Sequence, residues 1–252
     1  MFPIVKLHSM LLGACMLTAF RYTSLQRSRG ALSAVYWIMV VNLSEAIAHD
    51  LSVGDPAHFL NAIAGGLVLL TLPNRSVHLT KVDRAGASDL LRSSSSRPWI
   101  VAYTVWNGVF IYLSFPELIG RQIAVLVAAL SVGMLYPERW LQARTYTLAT
   151  ELLMVFAMPA ALLGQINTAH WSNSNAGLVA AGVSVSFLGI YAGWLGAGIL
   201  TKPGILTKRG LPRFYSVAAL VAKQAASIPN GITALRRSVG RRRSSAAETS
   251  HR

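Results

Sequence analysis

The sequence is poor in charged residues and in cysteine. Charged residues make up 13% of the chain, against roughly 25% in soluble domains. A surface with so little charge is poorly suited to water. The single cysteine, Cys15, excludes a disulfide within the chain, so cysteine usage gives no indication of the redox compartment.

Acidic residues are also scarce, because 9 Asp and Glu face 23 Lys and Arg, for a net charge of +14. In a soluble protein such an excess would suggest nucleic acid. Here the basic residues flank apolar blocks, a pattern typical of membrane topology and anionic lipid. We therefore expect no nucleic-acid partner. The expected partners are membrane lipids, with anionic lipid at the basic C-terminal tail.

Long apolar blocks are abundant, and they approach the twenty or so residues with which a helix crosses a bilayer. They predict an all-α fold, a polytopic membrane bundle of about seven transmembrane helices. Proline at several block ends favours helix boundaries there. The predicted spans are Ile4–Phe20, Ala31–Ala48, Ala57–Leu72, Trp99–Phe115, Ile123–Tyr136, Thr145–Leu163 and Ala176–Leu200.

The distribution of basic residues predicts the orientation. All of the 23 lysines and arginines except Lys6 and Arg121 fall on one side of the seven spans. Cytoplasmic loops carry the Lys/Arg excess, so the N-terminus is expected outside and the C-terminus inside. The endoplasmic reticulum and the plasma membrane both fit this multi-pass topology. A cleaved signal peptide ending near Phe20 is the alternative, but it places Arg21 on the wrong side.

Two domains are expected, a transmembrane domain over 1–200 and a basic cytosolic tail over 201–252. Apolar residues between the basic residues of the tail predict a partly amphipathic segment on the inner leaflet. Arg241–Arg243 beside Ser244 and Ser245 is compatible with a phosphorylation-sensitive anchor, with a retrieval signal, or with a disordered tail that only sets the topology.

Ionisable groups inside spans are costly and often functional. Glu45 is expected in the outer half of the second span and Glu151 in the inner half of the sixth. Asn42 and His49 share a helical face with Glu45, at i, i+3 and i+7 spacing. The candidate catalytic residues are Glu45, His49 and Glu151, with Glu45 first.

Aromatic and amide side chains are concentrated in the fourth span and next to it. Rings can stabilise a developing cation, and low dielectric favours the protonated form of a carboxylic acid, which can then act as a general acid. The alternative is that the amides and acids only join helices by hydrogen bonds. The candidate substrate-binding residues are Asn42, Asn61, Tyr103, Trp106, Asn107 and Phe110.

Histidine and aspartate also gather near the ends of the outer loops, at His49, Asp50, Asp55, His58 and His170. These residue types suit a transition metal, but no H-E-x-x-H spacing is present. We therefore expect a polar rim, no metal and no cofactor.

Seven spans, about 250 residues and acids in the second and sixth spans resemble the small membrane-bound terpene cyclases of fungal meroterpenoid and indole-diterpene pathways. That resemblance implies metal-independent protonation of an epoxide or olefin, with Glu45 as the leading acid and Glu151 second. Where those cyclases have a tryptophan–glutamate pair, this chain has Ser44–Glu45. Locally, Leu60–Pro73 and Tyr103–Pro116 are similar to an uncharacterised family of small polytopic membrane proteins.

Three functional classes follow from these patterns. The first is an acid-initiated cyclase or isomerase of a lipophilic, prenylated substrate. The second is a small-solute or proton-coupled transporter or channel, although no inverted repeat is evident. The third is a membrane protein without enzymatic activity, such as a heptahelical sensor.

Overall fold

A computed structural model describes residues 11–16, 18–20, 22–23, 28–73, 80–81, 91–93, 95–158, 164 and 166–201. These residues all belong to one compact unit, Met1–Pro212. The predictions for the tail after residue 201 lie outside the described residues.

The described part of the chain is helical. Its α-helices are α1 (Leu11–Phe20), α2 (Arg29–Val53), α3 (Pro56–Leu70), α4 (Arg97–Ser114), α5 (Ile119–Leu135), α6 (Trp140–Ala157) and α7 (Ser174–Thr201). Short 3-10 helices cover Pro116–Leu118, Pro137–Arg139 and Ala169–Trp171. Two two-residue strands, β1 (Thr80–Lys81) and β2 (Leu91–Arg92), pair antiparallel between α3 and α4.

Each predicted apolar block coincides at least in part with one of these helices. Proline positions explain several of the boundaries. Pro98 stands in the first turn of α4, while Pro116 and Pro137 begin the 3-10 helices that precede α5 and α6. A backbone N–H in the first turn of a helix has no acceptor within the helix. Proline fits there because it lacks this N–H and loses no hydrogen bond.

Three stretches are long and apolar enough to cross a membrane, namely Gly30–Val53, Pro116–Leu135 and Ser174–Ala197. The helices α1 and α3 are apolar but shorter. These lengths and compositions are those of a membrane protein.

The turn between α2 and α3 is determined by three consecutive residues. Gly54 ends α2 with a φ of +81°, the left-handed conformation that glycine adopts at little cost. Asp55 then caps α3, because its side chain accepts a hydrogen bond from the His58 N–H at 2.9 Å. Pro56 is the first residue of α3. This tight turn brings the end of α2 beside the beginning of α3.

The helices pack around a core of aromatic side chains. α3 contacts α2, α4 and α7, while α5 contacts α4 and α6. Trp99 stacks on Tyr103, and Trp140 meets the edges of both rings at centroid distances of 5.4 and 5.0 Å. This cluster joins the beginning of α4 to the beginning of α6.

The glycines of the predicted spans differ in their roles. Gly65 allows close packing, because an added Cβ would lie 2.7 Å from Ile47 and 2.8 Å from Trp106. An added Cβ at Gly189 or Gly193 would meet nothing within 4 Å. Small residues in membrane helices often mark close helix contacts, but these two glycines of α7 have no such contact among the described residues.

Candidate functional site

A cavity of 310 Å³ lies between α2, α4, α5 and α6. This volume falls within the range of small-molecule sites. The walls combine aromatic rings, aliphatic side chains, amides, two arginines and one glutamate. The lining residues are Asn42, Leu43, Tyr103, Trp106, Asn107, Phe110, Ile111, Phe115, Leu118, Arg121, Gln122, Arg144, Leu148, Glu151, Leu152 and Val155.

One helix provides the aromatic wall. Tyr103, Trp106 and Phe110 follow i, i+3 and i+7 spacing on α4, so their side chains lie on one face. The rings of Trp106 and Phe110 stack at a centroid distance of 6.2 Å. The indole Nε1–H of Trp106 donates to the Asn61 carbonyl at 3.1 Å, close to Gly65. α3 thus holds the central ring of this wall in place.

The polar wall comes from α5 and α6. The side-chain amide of Gln122 donates to Glu151 Oε2 at 2.5 Å. Both side chains are buried. Arg144 lies seven residues before Glu151, which places it on the same face of α6. Arg121 precedes Gln122 on α5. A carboxyl group, an amide and two guanidinium groups therefore surround one end of the cavity.

The structure brings most of the predicted site residues to this cavity. Glu151, expected in the inner half of its span and apart from Glu45, lines this cavity together with Asn42, Tyr103 and Asn107, whereas Glu45 does not line it. The physical reason is register: α6 begins at Trp140 and ends at Ala157, so Glu151 lies opposite Gln122 near the beginning of α5. The predicted residues that line the cavity are Asn42, Tyr103, Trp106, Asn107, Phe110 and Glu151.

Glu45, His49 and Asn61 are not among the lining residues. Glu45 is half-buried, and its Oε2 has no hydrogen-bond partner among the described residues. His49 and Asn61 belong to a second polar cluster at the α2–α3 turn. The catalytic role predicted for Glu45 stays a prediction.

The second cluster is centred on Asp50, whose side chain is fully buried. His58 Nδ1 donates to Asp50 Oδ1 at 2.7 Å, and Asn61 Nδ2 donates to Asp50 Oδ2 at 2.7 Å. Both carboxylate oxygens therefore have a partner, as a buried polar group requires. This network fastens the end of α2 to the first turns of α3.

His49 lies at the edge of the same cluster. Its ring centroid is 6.1 Å from that of His58 and 5.9 Å from that of Phe110, and its Nδ1 is 3.4 Å from the Ser114 hydroxyl. Three side chains here could each offer one atom to a metal ion, and these atoms lie within 4.8 Å of one another. The three residues are His49, Asp50 and His58. In the described geometry, Asp50 uses both oxygens for hydrogen bonds instead.

The other two residues of the expected polar rim have separate places. Asp55 is exposed at the beginning of α3, and its Oδ2 lies 3.6 Å from His58 Nε2. His170 is exposed in the 3-10 helix before α7, where its ring meets the edge of Trp171. The rim is therefore divided, and only the turn between α2 and α3 forms a buried cluster among the described residues.

Sequence reasoning missed Arg121, Gln122 and Arg144 as cavity residues. A signal was available for Arg144, because its spacing of seven from Glu151 places both on one face of a helix. Arg121 and Gln122 precede the predicted fifth span, which begins at Ile123. In the structure α5 begins at Ile119 and includes both residues.

The cavity combines a carboxyl group with a wall of aromatic rings, the chemistry required to protonate an apolar molecule and to stabilise a cation. The fold and this cavity define a helical protein with membrane-length helices and a cavity of the size that small-molecule sites have. Residues 1–197 match DUF5692, a family of unknown function, and the chain belongs to this family. No curated protein and no solved structure matches the chain.

Proposed function

We propose that the chain is a multi-pass membrane protein with seven spans, its N-terminus outside and its C-terminus in the cytosol. The basic residues support this topology, because all but Lys6, Arg121 and the buried Arg144 of α6 fall on the cytosolic side of the proposed spans.

Contacts between loops support the same topology. On the proposed cytosolic side, the Ser93 N–H donates to the Glu138 carbonyl at 2.8 Å. On the proposed outer side, the Thr168 N–H donates to the Glu117 carbonyl at 3.3 Å. Each bond joins two loops that the topology assigns to one compartment, as alternating spans require.

Cysteine labelling tests this topology. In a Cys15→Ser background, Ser172→Cys is expected to react with a membrane-impermeant maleimide in intact cells or sealed right-side-out vesicles. Tyr136→Cys is expected to react only after permeabilisation. Both positions are exposed and lie in connections between helices, and the proposed topology places these connections in opposite compartments. Labelling of Tyr136→Cys before permeabilisation would contradict the proposed orientation.

We further propose that the cavity catalyses acid-initiated cyclisation or isomerisation of a lipophilic, prenylated substrate. The observation that carries this proposal is the presence of Glu151 and the Tyr103–Trp106–Phe110 wall in one cavity. Glu151 would act as the general acid, and the rings would stabilise the carbocation through their negative faces. The resemblance to membrane-bound terpene cyclases supports this class of reaction.

The proposed reaction needs no reactant other than the substrate. The O–H bond of the Glu151 carboxylic acid breaks as its proton bonds to an olefin carbon or an epoxide oxygen of the substrate. The resulting cation is attacked by a second double bond of the same molecule, which closes a ring. Loss of a proton from a neighbouring carbon to the Glu151 carboxylate forms the final double bond and restores the acid. Product and substrate are therefore isomers.

This isomerism provides the test. Purified full-length protein in an uncharged detergent is incubated with farnesyl and geranylgeranyl alcohols, acids, phosphates and their terminal epoxides. The expected product has the mass of its precursor but a different retention time in chromatography. For an olefin substrate in deuterium oxide, it gains one non-exchangeable deuterium. A product of altered mass, or no conversion of any probe, would contradict the proposed reaction.

A proton-coupled transporter is the second candidate, and the buried Asp50–His58–Asn61 cluster favours it. Buried ionisable residues in membrane helices often carry protons. Reconstituted vesicles separate the two functions: solute uptake driven by a proton gradient, without conversion of the solute, would favour transport.

A further inference from the structure

We infer that the cavity binds an amphipathic anion, whose carboxylate or phosphate head group is held by Arg144 and Arg121. This inference rests on the proposed function for its site, and it names the substrate class that the site takes. Its basis is the pair of guanidinium groups, which the acid-initiated step does not use.

Arg144 is the first observation. Its side chain is buried, with 7% of the residue exposed, and it lines the cavity. Its Nε and Nη1 have no hydrogen-bond partner among the described residues. A guanidinium group is always charged and cannot be deprotonated in proteins. Buried guanidinium donors without acceptors are costly, so the site favours a ligand that supplies those acceptors.

Arg121 repeats the pattern from the neighbouring helix. Its Nε and Nη1 are also buried without a hydrogen-bond partner in the described part of the chain, and it lines the same cavity. Glu151 is the only acidic residue among the described lining residues. Even when Glu151 is ionised, one negative charge faces two positive charges, and when it is protonated the two positive charges are uncompensated. A bound anion would compensate the excess charge in a low-dielectric site, where such pairing is strong.

The head group is expected to be planar or multidentate. Guanidinium groups present N–H donors in a rigid fork that matches two oxygens of a carboxylate or phosphate. Arg144 and Arg121 each offer their Nε and Nη1. An uncharged alcohol cannot satisfy four such donors.

The space for an apolar chain lies next to these arginines. A second cavity of 420 Å³ adjoins the first, and the two share Arg121, Glu151 and Val155 as lining residues. The rest of the wall of this second cavity is mostly apolar and comes largely from α5 and α6. Its apolar residues include Ala124, Val125, Ala128, Met154 and Met158. An amphipathic molecule with its head at the shared wall would place its chain in this apolar space.

A binding experiment tests the inference. Full-length protein in an uncharged detergent is titrated with palmitate, hexadecyl phosphate and hexadecanol, and tryptophan fluorescence is recorded, because Trp106 lines the cavity. Saturable binding is expected for palmitate or hexadecyl phosphate. Comparison of these two probes distinguishes a carboxylate from a phosphate head group. The neutral hexadecanol is expected to bind about 100-fold more weakly.

Variants link the binding to Arg144. Arg144→Gln is expected to weaken the binding of the anionic probe by about 30- to 100-fold and to leave hexadecanol binding unchanged. Arg144→Lys retains the charge without the fork, so its loss is expected to be smaller. Arg139→Gln is the control, because Arg139 is exposed and lies over the Tyr136 ring, outside the cavity. Size-exclusion chromatography and the hexadecanol titration verify that each variant is folded.

The outcomes separate this inference from the catalytic proposal. Hexadecanol binding as tight as that of both anions, or anion binding unaffected in Arg144→Gln, would overturn the head-group inference and leave the reaction untouched. Tight, Arg144-dependent anion binding without conversion of any probe would instead overturn the reaction and support the ligand class.

Discussion

Glu151→Gln is expected to lower kcat for the isomerisation by about 1000-fold, the loss typical for removal of a general acid. Glutamine has nearly the same shape as glutamate and can still bond to Gln122, but it has no carboxylic proton to donate. KM is expected to change little, because the walls of the cavity remain. The measurement is the rate of product formation on any prenyl probe that the wild-type protein converts.

Two further glutamate variants are compared with Glu151→Gln, one as a control and one to test the alternative acid. Glu117→Gln removes an exposed carboxylate outside the cavity, and its rate is expected to equal that of the wild-type protein. Glu45→Gln distinguishes the two acids predicted from the sequence. If Glu45→Gln abolishes turnover while Glu151→Gln retains it, the acid is Glu45 and the assignment to Glu151 is wrong.

Asp50→Ala is expected to lower the free energy of unfolding by about 2–4 kcal/mol, because two buried hydrogen-bond donors lose their acceptor. The change leaves His58 Nδ1 and Asn61 Nδ2 without their acceptor, while both residues stay buried. It also leaves a space where the carboxylate was. The measurement is unfolding of the purified protein in mixed detergent micelles with increasing denaturing detergent.

Asp55→Ala is the matched control for Asp50. It removes an exposed carboxylate whose side chain caps α3 by accepting a hydrogen bond from the His58 N–H. Loss of this cap is expected to lower the free energy of unfolding by about 1 kcal/mol. Equal destabilisation by the two variants would show that Asp50 contributes no more than a surface cap, which would contradict the role assigned to the buried network.

The sequence predicted the helices well because hydrophobic blocks and prolines are local signals. The block Trp99–Phe115 corresponds to α4, Arg97–Ser114, and the proline before Trp99 lies in its first turn. The prediction of the sixth helix was less accurate, because Thr145–Leu163 was expected and the structure describes Trp140–Ala157. The five residues that precede Thr145 are less apolar than the predicted block, so hydropathy alone did not include them.

The candidate site was predictable only in part. The sequence indicated Tyr103, Trp106, Asn107 and Phe110 of α4 as binding residues, and all four line the cavity, because helical geometry puts residues three, four and seven positions apart on one side of a helix. The same rule placed Asn42, Glu45 and His49 on one face of α2. The structure separates these three, since Asn42 lines the cavity, Glu45 does not, and His49 lies near Asp50 and His58.

The sequence by itself determined the helical membrane character of this protein, the asymmetry of its basic residues and the identity of the acidic residues within its apolar segments. These properties depend on composition and spacing along one segment. Only the tertiary structure decided that Glu151 meets Gln122 and two arginines beside an aromatic wall, and that Asp50 meets His58 and Asn61. Contacts between side chains of different helices depend on how far each helix is rotated and shifted against its neighbours. Packing of the whole bundle sets that rotation and shift, and no single helix encodes them.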